Sequence, residues 1–189
     1  VLMSDFIVVE VGAKLKLPEL SLGIMPGGGG TQTLARRVGI LKALWVILSS
    51  REIKVAQPLV DDLATDSPVE GAIHAIAKMV IKKRRHDPIA WTLSGWCAGW
   101  MVTAVAFLTW WGRPPASFWL ARRAIMHGNM HALGNGGLRN ELDSFVKAFG
   151  TEDAREGIGA FLGVDIVEVE KNVFKVFKTE KRKPHFRGK

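Results

Sequence analysis

The sequence predicts an α/β chain in which short strands near the start are followed by helices. Residues 6–9 form a β-branched run that ends at Glu10, and residues 15–20 form a second extended piece. After residue 30, apolar side chains recur at helical spacing, as Leu34, Val38 and Leu41 do. The strands should therefore come first and the helices should make up the rest of the chain.

The individual helices are predicted from their apolar spacing and their starts. They are expected at residues 31–49, as one helix or two short ones, and at residues 67–83, 115–126 and 138–149. A further helix opens at residue 151. Thr31, Ser67 and Thr151 are the predicted N-caps, because their hydroxyls can accept the first free backbone N–H groups.

Composition indicates a globular chain with a marked excess of positive charge. Of its 189 residues, 48% are hydrophobic, which allows a sizeable core, and the formal net charge is +8. Much of the positive charge lies at residues 78–85 and 181–189, which favours polyanions in general, although a solvated tail is the alternative. Nucleic acid is not expected as a partner, because the aromatic residues gather at 91–119 rather than between the basic runs.

The candidate chemistry lies at Glu19, a carboxylate between two apolar stretches and ahead of a glycine-rich turn. Pro26 fixes its own backbone, and the four glycines after it permit positive φ and the close approach of a ligand. A carboxyl in apolar surroundings should have a raised pKa, as a proton donor near neutrality requires. An ordinary turn, with Glu19 as a capping or paired carboxylate, is the alternative.

Several short motifs follow one another along the chain, namely Pro18-Glu19-Leu20, Leu22-Gly23-Ile24-Met25-Pro26-Gly27, Gly29-Gly30-Thr31-Gln32, Thr151-Glu152-Asp153, Glu156-Gly157 and Lys181-Arg182-Lys183-Pro184. Their order resembles the enoyl-CoA hydratase/isomerase (crotonase) family. The resemblance implies a partial ββα spiral core, with the N-terminal half absent, followed by a C-terminal helical association region. The expected divisions are 1–66 for the core, 67–90 for a helix, 91–112 for an apolar insertion and 113–189 for the helical region with its basic tail.

The resemblance also implies a reaction, the addition of water to the double bond of an enoyl-CoA thioester. Glu19 matches the glutamate that delivers a proton to Cα, and Gly23 matches a backbone position near the reacting centre. Phe149 and Phe161 match residues that border the acyl pocket, although a place in the core is the alternative for both. Lys181 matches a lysine that approaches the phosphates of coenzyme A, which takes part only as a portion of the substrate. No separate cofactor and no metal is expected.

Three departures from the family bear on activity. The chain opens on Val1, and the family's second oxyanion-hole glycine and first catalytic glutamate would precede that residue. The stretch between Val55 and Leu59 is shortened, and residues 91–112 and 163–178 have no family counterpart and are expected to be insertions. The isolated chain is therefore expected to be inactive, and a non-catalytic remnant is the alternative function.

Membrane association is a second alternative, because residues 89–111 are uncharged and about long enough to cross a bilayer. A buried or loosely packed helix is the preferred interpretation, since Pro88 and Pro114 flank the stretch. Cys97, the single cysteine, is expected in the core and favours a reducing compartment, either cytoplasm or organelle matrix. The family resemblance implies a homo-oligomer, a trimer or a dimer of trimers.

One further pair of residues has the spacing of metal ligands. His127 and His131 are four residues apart, but Gly128 and Asn129 disfavour a helix between them. We expect two loop histidines and no metal site.

Overall fold

The computed structural model describes residues 2, 7–54, 62–64, 93–109, 114–128, 135–170 and 173–187. The predicted helix at 67–83 and His131 lie outside these residues. A short 3-10 helix covers Glu19–Leu22. The strands are β1 (Val8–Glu10), β2 (Lys14–Leu15), β3 (Ile53–Lys54), β4 (Asp62–Ala64), β5 (Val164–Glu170) and β6 (Val173–Lys178), and the α-helices are α1 (Gly30–Val38), α2 (Ile40–Ser49), α3 (Leu93–Leu108), α4 (Pro115–Gly128), α5 (Asn135–Phe149) and α6 (Glu152–Leu162).

The strands pair two by two. β1 is parallel to β4, with Val9 opposite Leu63, and β2 is antiparallel to β3, with Leu15 opposite Ile53. The second extended piece is shorter than predicted. The carbonyl of Pro18 accepts the N–H of Ser21 at 2.8 Å, so the backbone turns into the 3-10 helix and does not continue as a strand.

The predicted helix at 31–49 is two helices, the second of the two alternatives. Gly39 lies between α1 and α2 with φ +85°, a conformation that glycine adopts without strain and that ends the first helix. α2 has the sequence Ile-Leu-Lys-Ala-Leu-Trp-Val-Ile-Leu-Ser, and most of its side chains are buried. Because its buried side chains lie all around the helix, α2 is central to the core. The core also takes in Leu20, Met25, Leu34, Phe118, Ala121, Ile125 and Met126.

α3 is held against α4 by a buried arginine. Arg122 of α4 donates from Nε to the hydroxyl of Thr103 at 3.1 Å, and its guanidinium lies 3.7 Å from the ring centroid of Trp100. Burial lowers the pKa of Arg122. A stacked and hydrogen-bonded guanidinium of this kind fixes two helices side by side.

Two expectations for the apolar stretch are tested on α3. Cys97 is exposed, so its predicted place in the core is wrong; α3 is apolar all round and offers no spacing pattern that identifies a buried face. The helix is 16 residues long. Across the ranges that the structure covers, none of the helices combines the length and the apolarity needed to cross a membrane.

The stretch at 163–178 is a β-hairpin that packs on α6. β5 and β6 are antiparallel, with Ile166 opposite Val176 and an irregularity between Glu168 and Glu170. Ion pairs hold the start of the tail that follows, but Lys181, Arg182 and Lys183 stay exposed, so a solvated tail is still an open alternative. Arg182 donates to Glu156 at 2.8 Å and to Asp165 at 3.1 Å, which raises the pKa of Arg182 and lowers that of Glu156.

Candidate active site

The 3-10 helix fixes Glu19 and Gly23 relative to each other. The carbonyl of Glu19 accepts the N–H of Ile24 at 3.2 Å, and Gly23 ends the helix with φ +75°. Leu20, between them, is buried and joins this turn to the core. The predicted catalytic carboxyl and the predicted backbone site are therefore parts of one short, locally closed unit.

Among the residues that the structure describes, none of opposite charge pairs with the carboxyl of Glu19. Its Oε2 atom is buried and accepts no hydrogen bond, as far as the described residues go. Burial raises the pKa of Glu19, and a hydrogen bond from its own backbone lowers it by less. Because the charged form is the one that burial disfavours, this carboxyl holds its proton to a higher pH than an ordinary glutamate. It can act chemically as a proton donor.

Gly23 lies directly against the start of α6. A methyl group at this position would come within 2.0 Å of the carbonyl oxygen of Asp153, and the carbonyl of Gly23 itself accepts the hydroxyl of Ser117. On the helix side, a methyl group at Gly157 would lie 2.3 Å from the carbonyl of Leu22. The two glycines thus let α6 approach the 3-10 helix at backbone contact distance.

α6 itself begins as the sequence predicts. The hydroxyl of Thr151 accepts the N–H of Ala154 at 3.1 Å, and Glu152 and Asp153 lie in the first turn. The predicted cap is confirmed. The cap fixes the first turn of α6, which is the part of the helix that contacts Gly23.

The glycine turn leads into α1, but the predicted cap of this helix is wrong. The N-cap is Gly29, which has no side chain to accept a hydrogen bond from the helix. The carboxylate of Glu141, from α5, accepts the N–H of Gly29 at 2.5 Å and the N–H of Thr31 at 2.8 Å, and it also accepts the hydroxyl of Thr31. Thr31 is therefore a donor to a distant carboxylate and not a cap.

An open groove of about 340 Å³ lies between the glycine turn and α5. Gly27, Gly28 and Gly29 form one side, and Leu138, Leu142 and Phe145 form the other. The ring of Phe145 packs on Gly27, where a methyl group would come within 3.0 Å of it. The groove is apolar apart from backbone groups and Glu141.

Phe149 and Phe161 are exposed at 50% and 59%, so the alternative that placed them in the core is wrong. Phe149 packs against Phe145, which lines the groove, with ring centroids 5.5 Å apart and ring planes tilted by 41°. Lys181 lies with its Nζ atom 5.7 Å from the ring centroid of Phe161. The structure thus brings Lys181 close to Phe161, and it places Glu19 and Gly23 in one turn. The catalytic and substrate-binding roles of these residues stay predictions.

Three residues support the site although the sequence analysis gave them no role in it, namely Ser117, Glu141 and Gly157. Glu141 carried a signal that could have identified it. It comes three residues after Leu138 and four before Phe145, so it lies on an apolar face of α5, where a carboxylate needs a partner. Nothing in the local sequence of Ser117 points to Gly23, 94 residues away.

Comparison with solved structures places the chain in the crotonase-like class of folds. The structure of EchA1_1 from Mycobacterium paratuberculosis aligns with 100% of this chain and 56% of its own chain, with a TM-score of 0.54 and 16% sequence identity. At this identity the likeness shows the fold.

Sequence comparison gives the family. The model for enoyl-CoA hydratase/isomerase matches residues 1–86. The 2,3-dehydroadipyl-CoA hydratase of Escherichia coli (strain K12) is 30% identical over 189 residues, which are 100% of this chain and 56% of that protein. The glyoxysomal fatty acid beta-oxidation multifunctional protein of Brassica napus is 56% identical over 46 residues, 24% of this chain and 6% of that protein. The chain is thus similar to the enoyl-CoA hydratase/isomerase family over these ranges, and it spans about half the length of the curated relatives that match most of it.

Proposed function

We propose that this chain forms the proton-donor side of a site that adds water to an enoyl-CoA thioester in fatty-acid or related acyl-CoA metabolism. The observation that carries the proposal is the carboxyl of Glu19, whose Oε2 atom is buried and unpartnered among the described residues. Burial raises its pKa, so the protonated form persists toward neutral pH. An uncompensated carboxyl next to a glycine turn is costly for folding alone and is useful for proton transfer.

In the proposed reaction, the hydroxyl of a water molecule bonds to Cβ of the thioester as the double bond opens. The developing enolate takes a proton at Cα from Glu19, and a second carboxylate takes the proton that the attacking water loses. Exchange with solvent then returns a proton to Glu19 and removes one from the second carboxylate before the next turnover. Stabilising the enolate requires N–H donors at the thioester oxygen, and activating the water requires a second carboxylate. We propose that sequence upstream of Val1 in a longer protein supplies the second glutamate and an oxyanion-hole glycine.

The remaining predicted residues fit substrate binding. Gly23 brings backbone close to the reacting centre, and a larger residue there would displace α6. Phe149 and Phe161 present exposed rings that can border an acyl chain. Lys181 has its ammonium group on the outer side of the chain, where the phosphates of coenzyme A can reach it. Coenzyme A enters as part of the substrate, in the cytoplasm or an organelle matrix.

The proposal is tested by hydration of crotonyl-CoA, followed through the loss of enoyl thioester absorbance. The 189-residue chain alone should show no hydration above background, since each missing oxyanion donor costs on the order of a hundredfold or more and the missing base adds to this. The same chain joined to the N-terminal half of a related hydratase should hydrate the substrate. Turnover by the chain alone within about tenfold of a complete relative would refute the division of the site. A folded joined protein without hydration would refute the function.

We also propose that the chain associates with copies of itself, as a trimer or a dimer of trimers. The support is an exposed apolar stripe on α5, formed by Leu138, Leu142, Val146 and Phe149, which lie within one side of the helix. Apolar stripes of this kind on soluble proteins mark association surfaces. Light scattering should give a mass above that of one chain, and Leu142→Glu should lower it. A monodisperse monomer at all concentrations would contradict the proposal, and recovery only in detergent would favour the membrane alternative.

A further inference from the structure

We infer that Glu141 is a positioning residue, which holds the glycine turn in place and through it the segment that carries Glu19. The inference rests on the proposed function for its catalytic consequence. Its structural content, that a carboxylate on α5 controls the surroundings of Glu19, stands on contacts described above and can be tested in the chain as it is.

The first support is the number of hydrogen bonds that the carboxylate of Glu141 accepts. Glu141 is only 3% exposed, and its two oxygens together accept the N–H of Gly29 and both the N–H and the hydroxyl of Thr31. Helix α1 has no cap of its own, so these backbone groups would otherwise remain unsatisfied in a buried place. A negative charge at a helix N-terminus is also favoured by the helix dipole.

The second support is the way in which the segment between Glu19 and Thr31 is held. At its start, the 3-10 helix closes through the hydrogen bond between Ile24 and Glu19, and the carbonyl of Gly23 is bound by Ser117. At its end, the contacts come from α5, where Phe145 packs on Gly27 and Glu141 binds the turn. Releasing the Glu141 contact frees one end of a short segment whose other end holds the carboxyl.

Glu141 could stabilise the fold without affecting Glu19, or it could position the segment that carries Glu19. A purely structural Glu141 would change the free energy of unfolding and leave the surroundings of Glu19 in the folded chain as they are. A positioning Glu141 changes those surroundings in the folded state. The titration of Glu19 reports them directly, because its pKa depends on how well water is excluded from its carboxyl.

The experiment compares Glu141→Gln with Asp143→Asn, which removes one negative charge from the exposed side of the same helix. In the 189-residue chain, amide exchange of Gly29 and Thr31 is measured by NMR, together with the carboxyl ¹³C titration of Glu19. Glu141→Gln should accelerate exchange at both amides by about tenfold or more, because one acceptor oxygen becomes a donor. It should also lower the midpoint of Glu19 by about half a pH unit or more, as water enters. Asp143→Asn should change neither.

A faster exchange with an unchanged Glu19 midpoint would overturn the inference and leave Glu141 a structural role. If Glu141→Gln does not fold, Thr31→Val is measured in its place. It removes one of the three hydrogen bonds to Glu141 and keeps a side chain of nearly the same shape, so the same changes are expected with smaller size. The proposed function fails separately, through loss of hydration in the joined protein, and that failure would leave the effect on the Glu19 titration standing.

Discussion

Gly157→Ala should destabilise the folded chain by about 3 kcal/mol or more, although alanine is the better helix former by about 1 kcal/mol. The reason is the contact at α6, where the added methyl group would lie 2.3 Å from the backbone carbonyl of Leu22. Backbone cannot rotate away as a flexible side chain can, so the helix and the 3-10 helix must separate. The sign of the effect is therefore opposite to that of an ordinary glycine-to-alanine change in a helix.

Denaturant unfolding measures this effect, and Gly150→Ala is the matched control. A methyl group at Gly150 would have its nearest neighbours at 3.6 Å, which is ordinary contact. We expect Gly150→Ala to change stability by less than about 1 kcal/mol in either direction. Equal effects of the two substitutions would mean that the close approach of α6 to the Glu19 segment does not exist in solution.

Glu19→Gln, in the chain joined to a complete N-terminal half, should lower kcat by about a hundredfold or more while the fold is kept. The two side chains are nearly isosteric, but the amide has no proton to deliver near neutral pH. Since Glu19 acts as an acid, the rate of the parent enzyme should fall as pH rises through its raised pKa. The variant should lack this limb of the profile.

Steady-state kinetics across pH make the measurement, with Glu52→Gln as the control. Glu52 is exposed and pairs with Lys14 at 2.8 Å, which lowers its pKa, so its environment is the reverse of that of Glu19. An unchanged kcat for Glu19→Gln, with a lower melting temperature, would give Glu19 a structural role.

Stability gives an independent check on the state of Glu19. The pKa of Glu19 in the folded chain is raised above its value in the unfolded chain, which lies near 4.5. The free energy of unfolding therefore falls as pH rises from the unfolded pKa to the folded pKa. Glu19→Gln should remove that loss and be more stable than the parent at neutral pH.

The features that could be predicted from the sequence are those encoded within a few residues. The cap at Thr151 depends on a hydroxyl three residues from its donor, and the break at Gly39 depends on one glycine. The motif around Glu19 likewise identified the candidate site, because its order of glycine, proline and carboxylate is local. Each of these signals survives without knowledge of what packs nearby.

The contacts that complete the site could not be predicted, because they join distant parts of the chain. Glu141 and Gly29 are 112 residues apart, and local spacing favoured Thr31 as the cap that Glu141 in fact replaces. Cys97 was misplaced for a related reason, since a helix that is apolar on every side does not show which face its neighbours cover. Tertiary packing decides both cases.

The two ends of the hairpin formed by β5 and β6 lie next to each other. The carbonyl of Gly163 accepts the N–H of Thr179 at 2.8 Å, and Arg182 then donates its backbone N–H back to Ala160 of α6. The chain leaves α6, travels out along one strand, returns along the other and resumes beside the residue where it departed. Because the two ends of the hairpin meet at α6, a change in the length of its strands would leave the position of the tail that follows unchanged.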